Sequence, residues 1–375
     1  MIHLTYGGST AARTLACPGW VKKSDGIPRR PAGQAAIDGS MHHEVQEKCQ
    51  RDDVTPGECL GLSYREGDVI RIFTANDLPL SEIAHAATQR LLDELDIDEI
   101  EVEPFVQLEP GVAGGSIDLL GLSADKTTLL VLDYKFGRIA VPVEDNKQLR
   151  FYTMAAAADA KTKDMFKKIE RVVFAVIQPQ SSHDAITWVW DAPNLLEGFE
   201  IAFREAMASD TVTPGSHCHW CPAAPYCAEK RGAVMGTNLL GKDLQKNLQA
   251  SADMVTEVEN WLKAVREELY LQASRGVSVA GWKIVNKRAT RKWADEIAAM
   301  NALTKTKKLT KKELNKTTML TPAQVEKLVK SKDINIDLST FIISESSGTT
   351  LATADSKAEA VMVSDTQGHL AEIMK

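Results

Sequence analysis

No apolar run in this chain approaches the ~18–20 residues that a membrane-spanning helix needs. Residues 1–20 carry polar side chains and glycines where a secretory leader would carry its apolar stretch, so a reducing cytoplasm is the expected compartment. A Gly-x-x-x-x-Gly-Lys-Ser/Thr phosphate loop is missing too, and any unwinding of nucleic acid is expected to come from a partner. Positive charge is short: 44 Lys and Arg face 51 Asp and Glu, a formal net charge of −7. That balance argues against a uniformly basic nucleic-acid binder, although local patches rather than the total set the field that a phosphate backbone meets. One patch joins Lys305, Lys307, Lys308, Lys311, Lys312 and Lys316 against Glu313. By charge alone it reads as a solvated helix face or a flexible segment.

The 375 residues, 44% hydrophobic and 25% charged, suit a globular protein of two or three domains. Ser9 can cap a short helix ending near Cys17-Pro18-Gly19, and a second helix is expected from about Gly33 through Cys49. After a mixed polar stretch comes a helix over Ser81–Leu95. The pattern then turns to strands over Ile100–Leu108, Gly114–Leu122 and Thr128–Tyr134, read as an antiparallel meander. A helix from about Glu144 to Ala160, strands at Val172–Ile177 and Ile186–Trp190, and a helix at Leu195–Met207 follow. This order predicts an α/β or α+β sandwich around one mixed sheet. Beyond Met235 the chain is expected to carry a long amphipathic helix over Leu244–Ser274, a strand pair around Val277–Lys287 and a helix from Pro322. The expected division is a first domain over 1–235, an α+β accessory domain over 236–349 and a flexible tail over 350–375.

Three features fall where phosphodiester chemistry would use them. Asp118 ends Gly114-Gly115-Ser116-Ile117-Asp118, Asp133 and Lys135 close the next strand, and His43 sits on the earlier helix with Glu47 one turn on. Hard carboxylate oxygens can hold Mg²⁺ or Mn²⁺ against the charge that builds on an attacked phosphate. Asp133 and Lys135, two apart on a strand, share a face, where the lysine can stabilise that charge. His43 can complete the metal shell or anchor a carboxylate. Each feature has a bland reading: Asp-x-Lys is a common tripeptide, Asp118 can cap a turn, and a lone histidine is usually an ordinary helix residue. Gln148 and Tyr152, one turn apart on the next helix, would mean nothing by themselves.

Together and in order, Gly39 to His43, Gly115 to Asp118, Asp133 to Lys135 and Gln148 to Tyr152 resemble the motifs of the RecB-type branch of the PD-(D/E)XK nucleases, over roughly residues 9 to 230. The resemblance implies a restriction-endonuclease-like core. It also implies His43, Asp118, Asp133 and the Tyr134 carbonyl as metal ligands, Asp118, Asp133 and Lys135 as catalytic residues, and Gln148 and Tyr152 as residues that position DNA.

Of six cysteines, Cys218 and Cys221 form a Cys-x-x-Cys with Cys227 close behind and Pro222 and Pro225 between. Three convergent thiolates want a fourth partner, and Cys17 is the expected one. Cys49 and Cys59 remain as ordinary structural thiols. Structural zinc, with His217 or His219 among its ligands, fits these residues; so does a 4Fe–4S cluster on four thiolates. A distant amino-terminal cysteine plus this carboxy-terminal trio is similar to the iron–sulfur members of the nuclease branch, the AddB-type helicase–nucleases and the CRISPR adaptation exonucleases, and by that resemblance iron–sulfur is preferred. Either group would close a loop of roughly two hundred residues.

Gly281-Trp282-Lys283-Ile284-Val285, Arg288, Arg291-Lys292-Trp293 and Leu320–Lys327 resemble the tail of a family of phage and prophage proteins that carry this core. Interleaved basic and aromatic residues can contact single-stranded DNA, or Trp282 and Trp293 can pack a small core. The reading as a whole expects a metal-dependent deoxyribonuclease, an exonuclease or possibly an endonuclease, serving phage DNA replication or recombination in the host bacterial cytoplasm. DNA is its substrate, and a helicase or single-strand annealing protein its partner. The alternative is a non-catalytic DNA-binding or recombination scaffold with a structural zinc or iron–sulfur site.

Overall fold

Leucine and β-branched side chains between Ile97 and Trp190 set the framework, because they are apolar on both faces of their strands. In the computed structural model, residues 4–28, 32–190, 195–235, 248–314, 319–354 and 356–361 are described. The chain divides into two units, Met1–Val258 and Glu259–Lys375. The first opens with α1 (Ala11–Ala16), α2 (Trp20–Lys23), α3 (Gln34–Asp52), the hairpin β1 (Ser63–Glu66) and β2 (Val69–Ile72), and α4 (Leu78–Glu94). Then come β3 (Ile97–Val102), β4 (Phe105–Glu109), β5 (Ala113–Ser116), β6 (Leu119–Ser123) and β7 (Thr128–Tyr134). Next are α5 (Lys147–Ala158), β8 (Arg171–Ile177), β9 (Ile186–Trp190), α6 (Leu195–Met207) and α7 (Ala228–Met235). Helix α8 (Leu248–Ser274) runs across the division.

The main sheet has the order β3-β6-β7-β8-β9. Strands β7 and β8 are parallel, joined across α5, and the other pairs are antiparallel. Every residue of β7 is buried, as a strand covered on both faces requires. Leu129 and Val131 point into the cluster that holds Leu149, Phe151, Met154, Phe174 and Phe203. Leu130, Leu132 and Tyr134 alternate to the other face, against Ala84, Ala87 and Leu91 of α4. Helices thus flank a mixed sheet, the α/β architecture expected from the sequence.

Two expected strands are broken. The run Ile100–Leu108 splits into β3 and β4 at Glu103-Pro104, where Pro104 has no N–H for a ladder and Glu103 takes a left-handed φ of 52°. The run Gly114–Leu122 splits into β5 and β6 at Ile117-Asp118. Strands β4 and β5 pair as a hairpin of their own, so the meander in the main sheet is β3, β6 and β7. The β1–β2 hairpin lies in the polar stretch where no element was expected.

In the second unit, β10 (Trp282–Asn286), β11 (Thr290–Trp293), α9 (Glu296–Lys305), α10 (Lys311–Leu314), α11 (Pro322–Ser331), β12 (Ile342–Glu345) and β13 (Thr349–Thr353) follow. The strand pair anticipated near Val277–Lys287 is not local: β10 pairs with β13, and β11 with β12. The stretch from 350 therefore begins as part of a sheet rather than as a free tail, while 362–375 lie outside the described residues. Trp293 is a core residue, packed with Leu303, Leu309 and Val325 and donating its indole N–H to the Leu320 carbonyl at 2.8 Å. Arg291 is paired with Glu326. Lys316 of the lysine patch, the boundary expected at 236 and residues 244–247 of the long helix also lie outside the described residues. Among the described residues, no helix is long and apolar enough to cross a membrane.

Phe174 is fully buried, with its ring 5.7 Å from Trp188 and 5.6 Å from Trp190. Phe174→Ala is expected to lower the stability of the first unit by about 3–5 kcal/mol, seen as an earlier urea transition. A loss below about 1 kcal/mol would contradict this packing.

Candidate active site

The register of the sheet decides where the acids meet. Leu119 of β6 pairs with Leu132 of β7, so the next pair of positions is Asp118 and Asp133, side by side on one face. Asp118 sits at the break before β6, and its Oδ2 accepts the Tyr134 backbone N–H at 2.5 Å. His43, projecting from α3, brings Nδ1 to 3.4 Å from the same oxygen. Asp133 is 3% exposed. Its Oδ1 accepts a hydrogen bond from Gln148 Nε2 at 2.8 Å. Lys135 Nζ forms an ion pair with Asp133 Oδ2 at 2.5 Å.

Gln148 is placed by the start of α5, where the Asn146 side chain caps the N–H groups of Gln148 and Leu149. Tyr152, one turn on, is only 9% exposed. Its ring lies under the backbone of Gly8 and Gly115, where an added Cβ would stand 2.5 Å and 3.3 Å from it. Its hydroxyl accepts from Gln148 Nε2 at 3.5 Å. Tyr152 therefore supports Gln148 and the β5 backbone from below. Gly39 meets nothing that would exclude a side chain, so no packing in the chain explains its place in the motif. The neighbouring His42 is a core histidine, bonded to Ser81 at 2.8 Å and stacked on Phe136.

The charges are interdependent. Burial pushes the Asp118 carboxyl up, but His43, Lys135 and the Tyr134 N–H outweigh it and hold it below the usual carboxylate range. For Asp133, burial wins over Lys135, and the neighbouring Asp118 adds to it, so its carboxyl is raised. His43 loses by burial and gains more from Asp118, so its imidazole holds a proton more firmly than usual.

One residue of this centre was not expected. Glu103, in the left-handed turn between β3 and β4, brings a carboxylate oxygen to within 4.8 Å of donor atoms of both His43 and Asp118. Burial and then Asp118 raise its carboxyl to about 8. The one sequence signal was the Glu103-Pro104 dipeptide inside an otherwise alternating strand.

Cys17, Cys218, Cys221 and Cys227 line one small cavity with Trp20, Lys23 and His217. Backbone N–H groups donate to three of the sulfurs: Thr213 to Cys17 Sγ at 3.4 Å, Gly215 to Cys218 Sγ at 3.5 Å and Lys230 to Cys227 Sγ at 3.5 Å. Cys17 reaches this loop because Gly19 abuts the Asp210 carbonyl, leaving no room for a side chain. Arg13, stacked over Trp20 at 4.5 Å, places its positive charge near Cys221, Cys218 and Cys17. His217 Nε2 is taken up by the Thr213 carbonyl at 2.8 Å. Cys49 and Cys59 are buried elsewhere, their sulfurs 4.0 Å apart.

A family model described as a protein of unknown function (DUF2800) matches residues 3–359, and the chain belongs to that family. Among solved structures, the chain is similar to an alkaline exonuclease from Laribacter hongkongensis. That match has 16% identity and a TM-score of 0.23, and it covers 53% of this chain and 90% of that one. It is also similar to a protein from Eubacterium rectale assigned as an exonuclease, at 10% identity and a TM-score of 0.30, over 54% and 76% of the two chains. Overlaps this loose carry no argument about activity.

Because the folded value of Glu103, about 8, lies above the ordinary 4.5, its contribution to stability is full below 4.5 and lost as pH rises through 8. Metal-free protein in chelator is thus expected to melt at a falling temperature as pH rises across that window. Glu103→Gln should flatten the slope; an unchanged slope would contradict this placement of the carboxyl.

Proposed function

We propose that this chain is a divalent-cation-dependent DNA nuclease, in its finer form an exonuclease serving phage DNA replication or recombination. The observation that carries the reading is the pairing of Asp118 and Asp133 on adjacent strands, with His43 against the first and Lys135 against the second. Two carboxylates this close are costly in a protein interior unless positive charge meets them, and a divalent cation would add to what Lys135 and His43 supply. Asp118, Asp133, the Tyr134 carbonyl and His43 would hold Mg²⁺ or Mn²⁺, a donor set suited to hard cations. The bound ion would neutralise phosphate charge and lower the pKa of its water.

The chain's own groups do the rest. Lys135, beside Asp133, is placed to stabilise charge developing on the phosphate. Gln148 fixes the orientation of Asp133, and Tyr152 fixes Gln148. The Tyr134 N–H holds Asp118 in one rotamer, so the carboxylates are preorganised before substrate arrives.

For the cysteine cavity the reading is a 4Fe–4S cluster on Cys17, Cys218, Cys221 and Cys227. Backbone hydrogen bonds to the sulfurs and the Arg13 cation work toward thiolates, against burial, which raises the Cys218 and Cys227 thiols until a metal group takes them up. The cluster's role here is to tie α1 and α2 to the loop before α7.

Asp133→Ala with Lys135→Ala is expected to abolish Mg²⁺- or Mn²⁺-dependent digestion of labelled DNA, by at least ~10²–10³-fold, while DNA binding persists. Undiminished cutting by the folded variant would overturn the assignment. Protein purified without oxygen should be brown, with acid-labile sulfide that Cys17→Ser loses; a colourless protein carrying zinc would refute the cluster.

A further inference from the structure

The lysine run of the second unit is part of a folded corner. Leu303 before it, Leu309 within it and Leu314 after it are buried in the core around Trp293. Helix α9 ends at Lys305, the chain turns through Lys307 in a left-handed φ of 57°, and α10 opens with Lys311 and Lys312. With the leucines turned inward, Lys305, Lys307, Lys308, Lys311 and Lys312 are all exposed.

The acids that could neutralise this corner are engaged elsewhere. Glu313, the one acid in the run, accepts from the Thr310 N–H and hydroxyl and pairs with Lys332 beyond α11. Lys308 donates to the Asp333 carbonyl at 2.9 Å, a neutral partner that fixes the side chain and leaves its charge. Among the described residues, Lys305, Lys307, Lys311 and Lys312 form no ion pair, whereas Arg291, Lys292 and Lys332 each meet a glutamate. The unit as a whole leans the same way. Over residues 259–375, 19 Lys and Arg stand against 14 Asp and Glu, although the full chain is acidic. Unpaired like charges this close in the chain repel one another, and a polyanion would relieve that repulsion.

We propose that the α9–α10 corner docks the phosphodiester backbone of DNA through the ammonium groups of Lys305, Lys307, Lys311 and Lys312. That the polyanion is DNA rests on the nuclease reading; the basic surface does not. Lysine meets phosphate as a point charge and reads no base, so the contact would hold DNA of any sequence. An anionic membrane is the poorer fit, because a membrane-surface helix also exposes an apolar face. Between Lys305 and Lys312 the single large apolar side chain is Leu309, and it is buried.

The test is binding of the full chain to labelled oligonucleotides, duplex and single-stranded, in chelator across a salt series. Replacing the four lysines (K305Q, K307Q, K311Q, K312Q) is expected to weaken binding at least ~10-fold at about 0.15 M salt, equally for every sequence tried. The slope of log K against log salt should become shallower by about 3–4 for a duplex, or about 3 for a single strand. A loss on either form supports the proposal. A control variant removes the same charge from Lys161, Lys163, Lys167 and Lys168, exposed before β8 in the first unit. Unchanged affinity and slope, an equal loss in the control, or a loss confined to anionic lipid vesicles overturns it. K311Q with K312Q, expected to change the slope by about 2, serves if the fourfold variant loses its circular dichroism. Digestion in Mn²⁺ run alongside separates this inference from the nuclease reading. Cutting by the wild type with undiminished binding by the variant ends this inference alone. A wild type that binds DNA through these lysines and cuts nothing ends the nuclease reading alone.

Discussion

Two carboxylates packed side by side in a protein interior repel each other and lose their water, so they persist only where positive charge and hydrogen bonds meet them. Asp118 and Asp133 are that pair, and the first unit is organised around them. His43 reaches in from α3, Lys135 from the end of β7, and Gln148 from the capped start of α5. The balance is incomplete: Asp118 is held ionised by His43, Lys135 and the Tyr134 N–H, whereas Asp133, although ion-paired with Lys135, is raised by burial and by Asp118. That residual imbalance is what a cation would relieve.

Much of this was legible in the chain because it depends on local pattern. The alternation through Thr128–Tyr134, the two-residue step from Asp133 to Lys135 and the helical spacing of Gln148 and Tyr152 are each read from a short window, and each lies where expected. What escaped depends on distant partners. Nothing in Thr349–Thr353, with few large apolar residues, announces that it pairs with β10. The hairpin β1–β2 is half exposed and offers little alternation to read. Glu103 was hidden for a third reason: a proline inside an alternating run looks like a weak strand, whereas here it marks the bend that turns a carboxylate toward Asp118.

The cysteines give the fold its second long-range constraint. Cys17 follows α1, and its partners lie after α6, so their convergence on one cavity joins the start of the first unit to the loop before α7. Gly19 against Asp210 makes the approach possible, and the exposed ion pairs of Lys22 with Asp210 and Lys23 with Glu229 line the same seam. Those surface pairs contribute little by themselves; a shared metal group would contribute far more. The second unit has its own core around Trp293, and its basic residues are partly spent on internal partners, as Arg291 is on Glu326.

The central claim is that Asp118 and Asp133 share a divalent cation. Anomalous diffraction from crystals soaked in Mn²⁺ tests it most directly. The account predicts a peak about 2.0–2.2 Å from carboxylate oxygens of both residues and from the Tyr134 carbonyl. A fully soaked crystal with no peak between these two side chains would contradict it.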